Sequence, residues 1–418
     1  MTRAAVIDPS PKRTSENTLV TVMFFAAGIV FLDRFGISYL FPDIKNELNL
    51  NNSQLALLIS VTAVTWAISS IVFSIVSDRM GGRKKPIIIT SLVLFSLAVG
   101  LIGLAQNFTT MVLLRALVGL CEGPALPLIQ AAVASASSSH RRGRNLGIVI
   151  AGTGIIGTAL GPSIMIGLAS VLGWRGAFPL MIVPGLVIAL LVWVYYQETP
   201  NGPERRAPLT ARQASRLFTD RNFLLCLCIT TVCVFVALGA SSFTTVLLSS
   251  RGYDSQLITV TLTVIGIMGA LGAVISPALS DRIGRRPAII ISTFMLGLSF
   301  VLMAVFADNF ALVMAASTAS LLSGALPIAT YVVPAESLPP EVAATGMALL
   351  IAIGETVGGF LGPQIGGAVA DATGDVRNAI LLYGFAPLLA LIAALFLRDT
   401  QPVPHRQPTV ATAVAETL

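Results

Sequence analysis

The chain has 418 residues, 55% of them apolar and only 11% charged, with a formal net charge of +6 and a mean hydropathy of +0.85. A soluble domain is about a quarter charged, so this composition excludes an ordinary water-soluble protein. The four cysteines (Cys121, Cys226, Cys228, Cys233) all lie in apolar runs. They have no metal-ligand spacing and argue against a disulfide framework.

In chain order, residues 1–17 form a polar tail with Arg3, Asp8, Lys12, Arg13 and Glu16. The apolar run behind it is too long for the core of a cleaved signal peptide. About 20 apolar residues cross ~30 Å of hydrocarbon. Runs of that length predict spans at 18–41, 53–77, 86–105, 109–135, 144–171, 175–196, 222–248, 256–279, 287–307, 309–335, 342–369 and 376–397. The first span carries "FLDRFGISYLFPDI", with Asp33 and Arg34 side by side in an otherwise uncharged stretch. The second runs into "SDRMGGRKKP" and the fourth carries "RALVGLCEGP", with Arg115, Gly119 and Glu122. A polar linker rich in Pro and Arg, 197–221, follows the sixth. The eighth runs into "SDRIGRRP", and the eleventh reads "IAIGETVGGFLGPQIGG" around Glu355. Residues 398–418 form a polar tail, and Trp174 and Trp193 read as anchors at the membrane interface.

Two internal repeats divide the chain. Asp78 and Asp281 lie 203 residues apart in the two "SDR" segments, and "ALGP" at 159–162 matches "FLGP" at 360–363. The fold class is therefore an all-α membrane protein of twelve transmembrane helices in two pseudo-symmetric six-helix bundles, 18–196 and 222–397. Of the 26 Lys and Arg residues, twenty fall on the side of the termini and four (Lys45, Arg175, Arg251, Arg377) on the other. The positive-inside rule then places both termini in the cytoplasm, in a plasma or inner membrane. Because the basic residues are spread through short loops, nucleic acid is not an expected partner. An enzyme is not expected either. The two histidines, His140 and His405, lie in polar segments, and neither a nucleophile set, a metal set nor a P-loop is present.

These loops resemble the signature of the major facilitator superfamily, Gly-x-x-x-Asp-Arg-x-Gly-(x)-Arg-Arg/Lys. Here it stands as "SIVSDRMGGRKK" and "PALSDRIGRR", with Ser74 and Pro277 in place of the opening Gly. The resemblance implies a gating role for Asp78, Arg79, Gly81, Arg83, Asp281, Arg282, Gly284 and Arg285. A carboxylate among clustered arginines latches neighbouring helix ends. The first and fourth spans are most similar to the anion:cation symporter family, and Spinster-type lipid transporters share that pattern. The "GPxxGG" of span eleven resembles part of a motif of drug/proton antiporters.

Five ionisable residues stand well inside spans: Asp33, Arg34, Arg115, Glu122 and Glu355. Each is expensive there and is a functional candidate by default. At about 1.5 Å per residue, Arg34 and Arg115 both sit ~10 Å below the outer boundary. Two guanidinium groups at one depth suit a carboxylate, because each presents a planar donor fork. Glu122 follows Arg115 by seven residues, so it shares that face ~10 Å deeper. Burial and a neighbouring arginine pull a carboxylate's proton affinity in opposite directions, which suits Asp33 and Glu122 to proton carriage. Internal ion pairs, Asp33–Arg34 and Arg115–Glu122, are the competing reading. Glu355 is read as a contact to a substrate hydroxyl or amine, a third proton site, or a neutral acid bonded to a neighbouring helix. Tyr39 is a further substrate candidate, among polar residues such as Trp66, Gln130, Thr245 and Gln364. The family resemblance separately supports Arg34 and Arg115 as anion ligands and Asp33 and Glu122 as proton carriers.

The expected function is proton-coupled symport of an organic anion, an aromatic acid, small carboxylate or sugar acid, by alternating access. The alternative is proton-driven efflux of drugs or amphiphiles, or Spinster-like lipid transport. No cofactor is expected beyond protons as coupling ion. The expected partners are the small organic anion and the lipid bilayer, and the fold ordinarily works as a monomer.

Overall fold

The computed structural model describes residues 15–80, 83–138, 140–198 and 217–400, which are helical almost throughout, with no strand among them. Hydrocarbon offers no partner to a free peptide group, so each crossing segment closes its hydrogen bonds within itself as a helix. The spans are α1 (Glu16–Tyr39), α2 (Asn52–Ser77), α3 (Lys85–Leu104) and α4 (Phe108–Ala136), then one run Arg142–Tyr195. They continue as α7 (Arg221–Ser250), α8 (Ser255–Ile283), α9 (Arg285–Val305), α10 (Phe310–Ser337), α11 (Thr345–Thr373) and α12 (Val376–Leu395). Gly173, at φ +68°, breaks the long run into α5 (142–172) and α6 (174–195). That positive φ is the conformation glycine adopts without steric cost, and it makes twelve spans in two six-helix halves, as expected.

Several helices outrun their predicted ends, because polar caps lie beyond the reach of a hydropathy window. Asn107, Asp220, Asp254 and Asn309 each accept a hydrogen bond from the backbone N–H three residues on, at 2.7–3.2 Å. Trp174 differs from expectation. It is buried rather than at the lipid interface, and its Nε1 donates to Glu47 Oε2 at 2.5 Å. Glu47 lies on a short helix, Phe41–Leu48, between α1 and α2. Arg175 also donates to it at 2.6 Å and holds its carboxyl below the usual carboxylate range. Trp193 is exposed, as an anchor would be.

Pro124 interrupts α4 just after Glu122. A proline has no N–H for the carbonyl four residues back. That carbonyl, Leu120 O, accepts instead from Ser69 Oγ of α2, and Cys121 O accepts from Ser91 Oγ of α3. Hydroxyl side chains thus repair the break within the membrane. Wide π-helical turns occur at Thr153–Leu160, Ile328–Val332 and Gly354–Gly358, the last holding Glu355.

The halves meet along α2–α11 and α5–α8. Between α2 and α11, Ser60 Oγ donates to Phe360 O at 2.9 Å. Nearer the face opposite the termini, Asp371 accepts from Asn52 N at 2.9 Å, Ser53 N at 2.8 Å and Ser53 Oγ at 2.6 Å. A carboxylate from one half therefore caps the first amides of a helix in the other, where the helix dipole favours an anion. Between α5 and α8, Ser163 and Thr263 hydroxyls lie 3.3 Å apart. These bonds close the face away from the termini.

Asp371→Ala should loosen that closure. In a cysteine-free background, a cysteine at buried Ala56 should then react several-fold faster with a membrane-impermeant maleimide. Unchanged labelling would show that the cap does not hold the face shut.

Candidate substrate and proton site

Asp33 and Arg34 are carried by an unbroken α1 and are buried. Arg34 Nη2 donates to Glu355 Oε2 at 2.5 Å. The two residues are 321 apart in sequence and lie in opposite halves. The spans of the second half hold no arginine of their own, and the partner of Glu355 comes from α1. The Arg34 guanidinium also lies 5.1 Å from the Trp66 ring centre and 5.7 Å from that of Phe31, favourable cation–π distances. Trp66 Nε1 is buried without a hydrogen-bond partner among the described residues.

Arg115 is fully buried. Its Nε donates to Leu58 O at 3.2 Å and its Nη2 to the main-chain oxygen of Arg34 at 3.4 Å, so the Arg115 guanidinium reaches the backbone of α1 at Arg34. The two arginines do not form a pair of parallel forks in this state, because one side of Arg115 is spent on backbone carbonyls. Its Nη1 has no partner among the described residues. Gly119, one turn on, serves a neighbouring helix: a Cβ there would run into Thr65 Oγ1 and the Thr62 carbonyl of α2. Thr62 Oγ1 reaches across to Arg115 O at 3.1 Å.

The two carboxylates read as proton carriers are set apart from the rest. Both oxygens of Asp33 and both of Glu122 are buried and accept no hydrogen bond among the described residues. The strongest charges acting on Asp33 are Glu122 and Arg115, and those on Glu122 are Arg34, Arg115 and Glu355. The simple pairs Asp33–Arg34 and Arg115–Glu122 are not formed. Instead the five groups make one electrostatic cluster, four from the first half and one from the second.

Tyr39, the further substrate candidate, lies away from the charged cluster's hydrogen bonds. Its hydroxyl donates to Gly157 O at 3.0 Å, and its ring covers Gly161. It lines a separate bowl of about 790 Å³ on the closed face, with Trp174, Thr245 and Tyr253. Spacing along α1 located its depth but not its direction. Trp66 was legible only as one polar candidate among many, and its position beside Arg34 is a property of packing.

In the second gating segment, Gly284 turns the chain at φ +98° and Arg285 is the hub. Arg285 Nη1 donates to Ser280 Oγ at 2.6 Å and Asp281 Oδ1 at 2.5 Å, and Nη2 to Glu336 Oε1 at 2.6 Å. Asp399 Oδ1 accepts from Arg285 N at 3.0 Å. Arg282 is exposed. In the first segment Arg79 and Arg83 are exposed, whereas Gly81 and the Asp78 side chain lie outside the described residues. There Glu198 Oε1 accepts from Lys85 N at 2.8 Å and from Lys84 N. Glu198 and Asp399 thus cap the third helix of their respective halves. Sequence reasoning missed both, although "ET" at 198–199 and "DT" at 399–400 repeat at nearly the motif's interval.

A sequence model of the Major Facilitator Superfamily matches residues 23–349 and 262–416. The chain is 24% identical over 422 residues to a hexuronate transporter of Bacillus subtilis (strain 168), covering 93% of this chain and 96% of that protein. It is 30% identical over 182 residues to a probable L-galactonate transporter of Escherichia coli (strain K12), covering 44% and 40%. In structure it is similar to a bacterial homologue of the human lysosomal transporter Spinster in an inward-facing, unoccupied conformation. The TM-score there is 0.73 at 19% identity, over 91% of this chain and 94% of that one.

Two substitutions test the packing around the site. Arg285→Ala leaves Glu336 with the Thr400 hydroxyl alone and should cost about 1–3 kcal/mol, read as a lower melting temperature in detergent. Gly119→Leu forces α4 from α2 and should cost about 1–3 kcal/mol, with a similar readout.

Proposed function

The chain belongs to the Major Facilitator Superfamily, and from that premise we propose that it imports an organic anion of the hexuronate class together with protons, by alternating access. The charge balance of the buried cluster carries this reading. Two guanidinium groups face three carboxylates, Asp33, Glu122 and Glu355. A bound monoanion adds one more negative charge in a medium where an unbalanced charge is very costly. Protons on Asp33 and Glu122, whose oxygens take no hydrogen bond among the described residues, offset that charge and tie anion binding to proton binding.

In this mechanism Arg34 holds the substrate carboxylate, with Arg115 beside it, and the aromatic faces of Trp66 and Phe31 orient the guanidinium. The termini lie in the cytoplasm of a plasma- or inner-membrane monomer, so the face closed by Asp371 is external and this state opens inward. The halves rock about the cluster, exposing it in turn to each side. The hexuronate transporter that matches along nearly the whole chain supports the sugar-acid class. A hexuronate offers one carboxylate for Arg34 and a ring of hydroxyls for the surrounding polar side chains.

Reconstituted protein should take up labelled galacturonate faster as the outside is acidified. Arg34→Ala should lower galacturonate binding at least a hundredfold, and binding at the wild-type level would sink the anion site. Glu122→Gln should lose gradient-driven accumulation yet keep counterflow. Vesicles with an acidic lumen that concentrate a cationic dye would point to the efflux reading instead.

A further inference from the structure

The geometry points to Glu355 as an internal carboxylate that displaces the substrate's own carboxylate from Arg34 and occupies its place in the empty, inward-open carrier. This rests on the reading of Arg34 as the anion-binding group.

Three observations converge on it. The first is the pairing. Glu355 Oε2 accepts from Arg34 Nη2 at 2.5 Å, the same kind of charge-assisted bond that a substrate carboxylate would make. The second is access. The Glu355 side chain is 19% exposed, whereas Arg34 is 5% exposed and Arg115 and Glu122 are fully buried. Glu355 is thus the cluster member that an incoming ligand meets first. Trp66 and Phe31 stand against the guanidinium and restrict the directions from which a second carboxylate reaches it. The third is origin. Glu355 comes from the half that supplies no other charge to the cluster, and it sits in the wide turn Gly354–Gly358 rather than in a regular helix. Such turns recur at functional positions. A buried ion pair is a poor device for stability alone, so a cross-half pair at the anion site calls for another role.

The consequence is competition. When Glu355 holds Arg34, the fraction of carriers ready for substrate falls, and the apparent dissociation constant rises by the inverse of that fraction. On the inward-open side this favours release, because the departing carboxylate is replaced without leaving Arg34 unpaired. Glu122 and Arg115 from the first half and Tyr331 from α10 are the other ionisable groups that act on the pair, and Asp33 acts on Glu122 and Arg115. None of them donates to Glu355 or accepts from Arg34's side chain among the described bonds.

Calorimetric binding of galacturonate to the purified full chain tests the idea. Glu355→Gln removes the competing charge and should bind at least tenfold more tightly than wild type, and in vesicles its ratio of counterflow to net uptake should rise by a similar factor. Unchanged or weaker binding in a variant with wild-type melting temperature overturns the proposal. Glu355→Ala gives the same readout should the amide disturb folding. A second arm needs no substrate. Spin labels at Asn46 and Ser255, on either side of the closed external bowl, should report one short distance in the empty wild type and an added longer one in Glu355→Gln. If galacturonate binds neither protein, the substrate class is wrong, and the label distances alone decide: a longer population upholds the bridge, and identical distances refute it.

Discussion

A guanidinium in the middle of a membrane protein must have an anion or backbone carbonyls beside it, since hydrocarbon offers neither water nor counter-ion. Arg34 meets that demand with Glu355, and because the partner belongs to the other half, the requirement becomes a link between the two halves. Around this link the remaining charges fall into place. Arg115 is steadied by backbone carbonyls of α2 and α1, which leaves Asp33 and Glu122 as carboxylates without donors among the described residues. In a cluster of this kind each charge depends on the others, because no water screens them.

The helices are irregular where this chemistry sits. Pro124 breaks α4 directly after Glu122, and hydroxyls of Ser69 and Ser91 accept the duty of the lost amide bonds. Gly119 and Gly123 let α2 press against α4 with no side chain between. Glu355 occupies a wide turn bounded by Gly354 and Gly358. In lipid such departures are tolerated only where neighbouring side chains or helices satisfy the backbone. The irregular positions therefore mark where packing has been shaped around the buried charges.

The two halves share a frame but divide the work. Glu198 and Asp399 each cap the third helix of their half, and the Asp-Arg-x-Gly segments repeat 203 residues apart. The chemistry is not repeated: four ionisable groups of the cluster come from α1 and α4, and one from α11. The first half thus supplies most of the candidate site, while the second contributes the charge that answers it and, through Asp371, the cap that shuts the face away from the termini.

Much of this was legible in the chain. Twenty-residue apolar runs have one solution in hydrocarbon, so the number of spans, their division into halves and the identity of the five buried charges followed from pattern alone. The common depth expected of Arg34 and Arg115 followed from the fixed rise of a helix. Spacing says nothing of which way a side chain turns or which distant helix it meets. The pairing of Arg34 with Glu355 across 321 residues, the bond of Tyr39 to Gly157, the burial of Trp174 against Glu47 and the backbone bonds of Arg115 were decided by how the helices pack. One dimension sets depth, through the regular rise of each helix. Direction and partnership belong to the other two, and those are settled only when the halves close on each other.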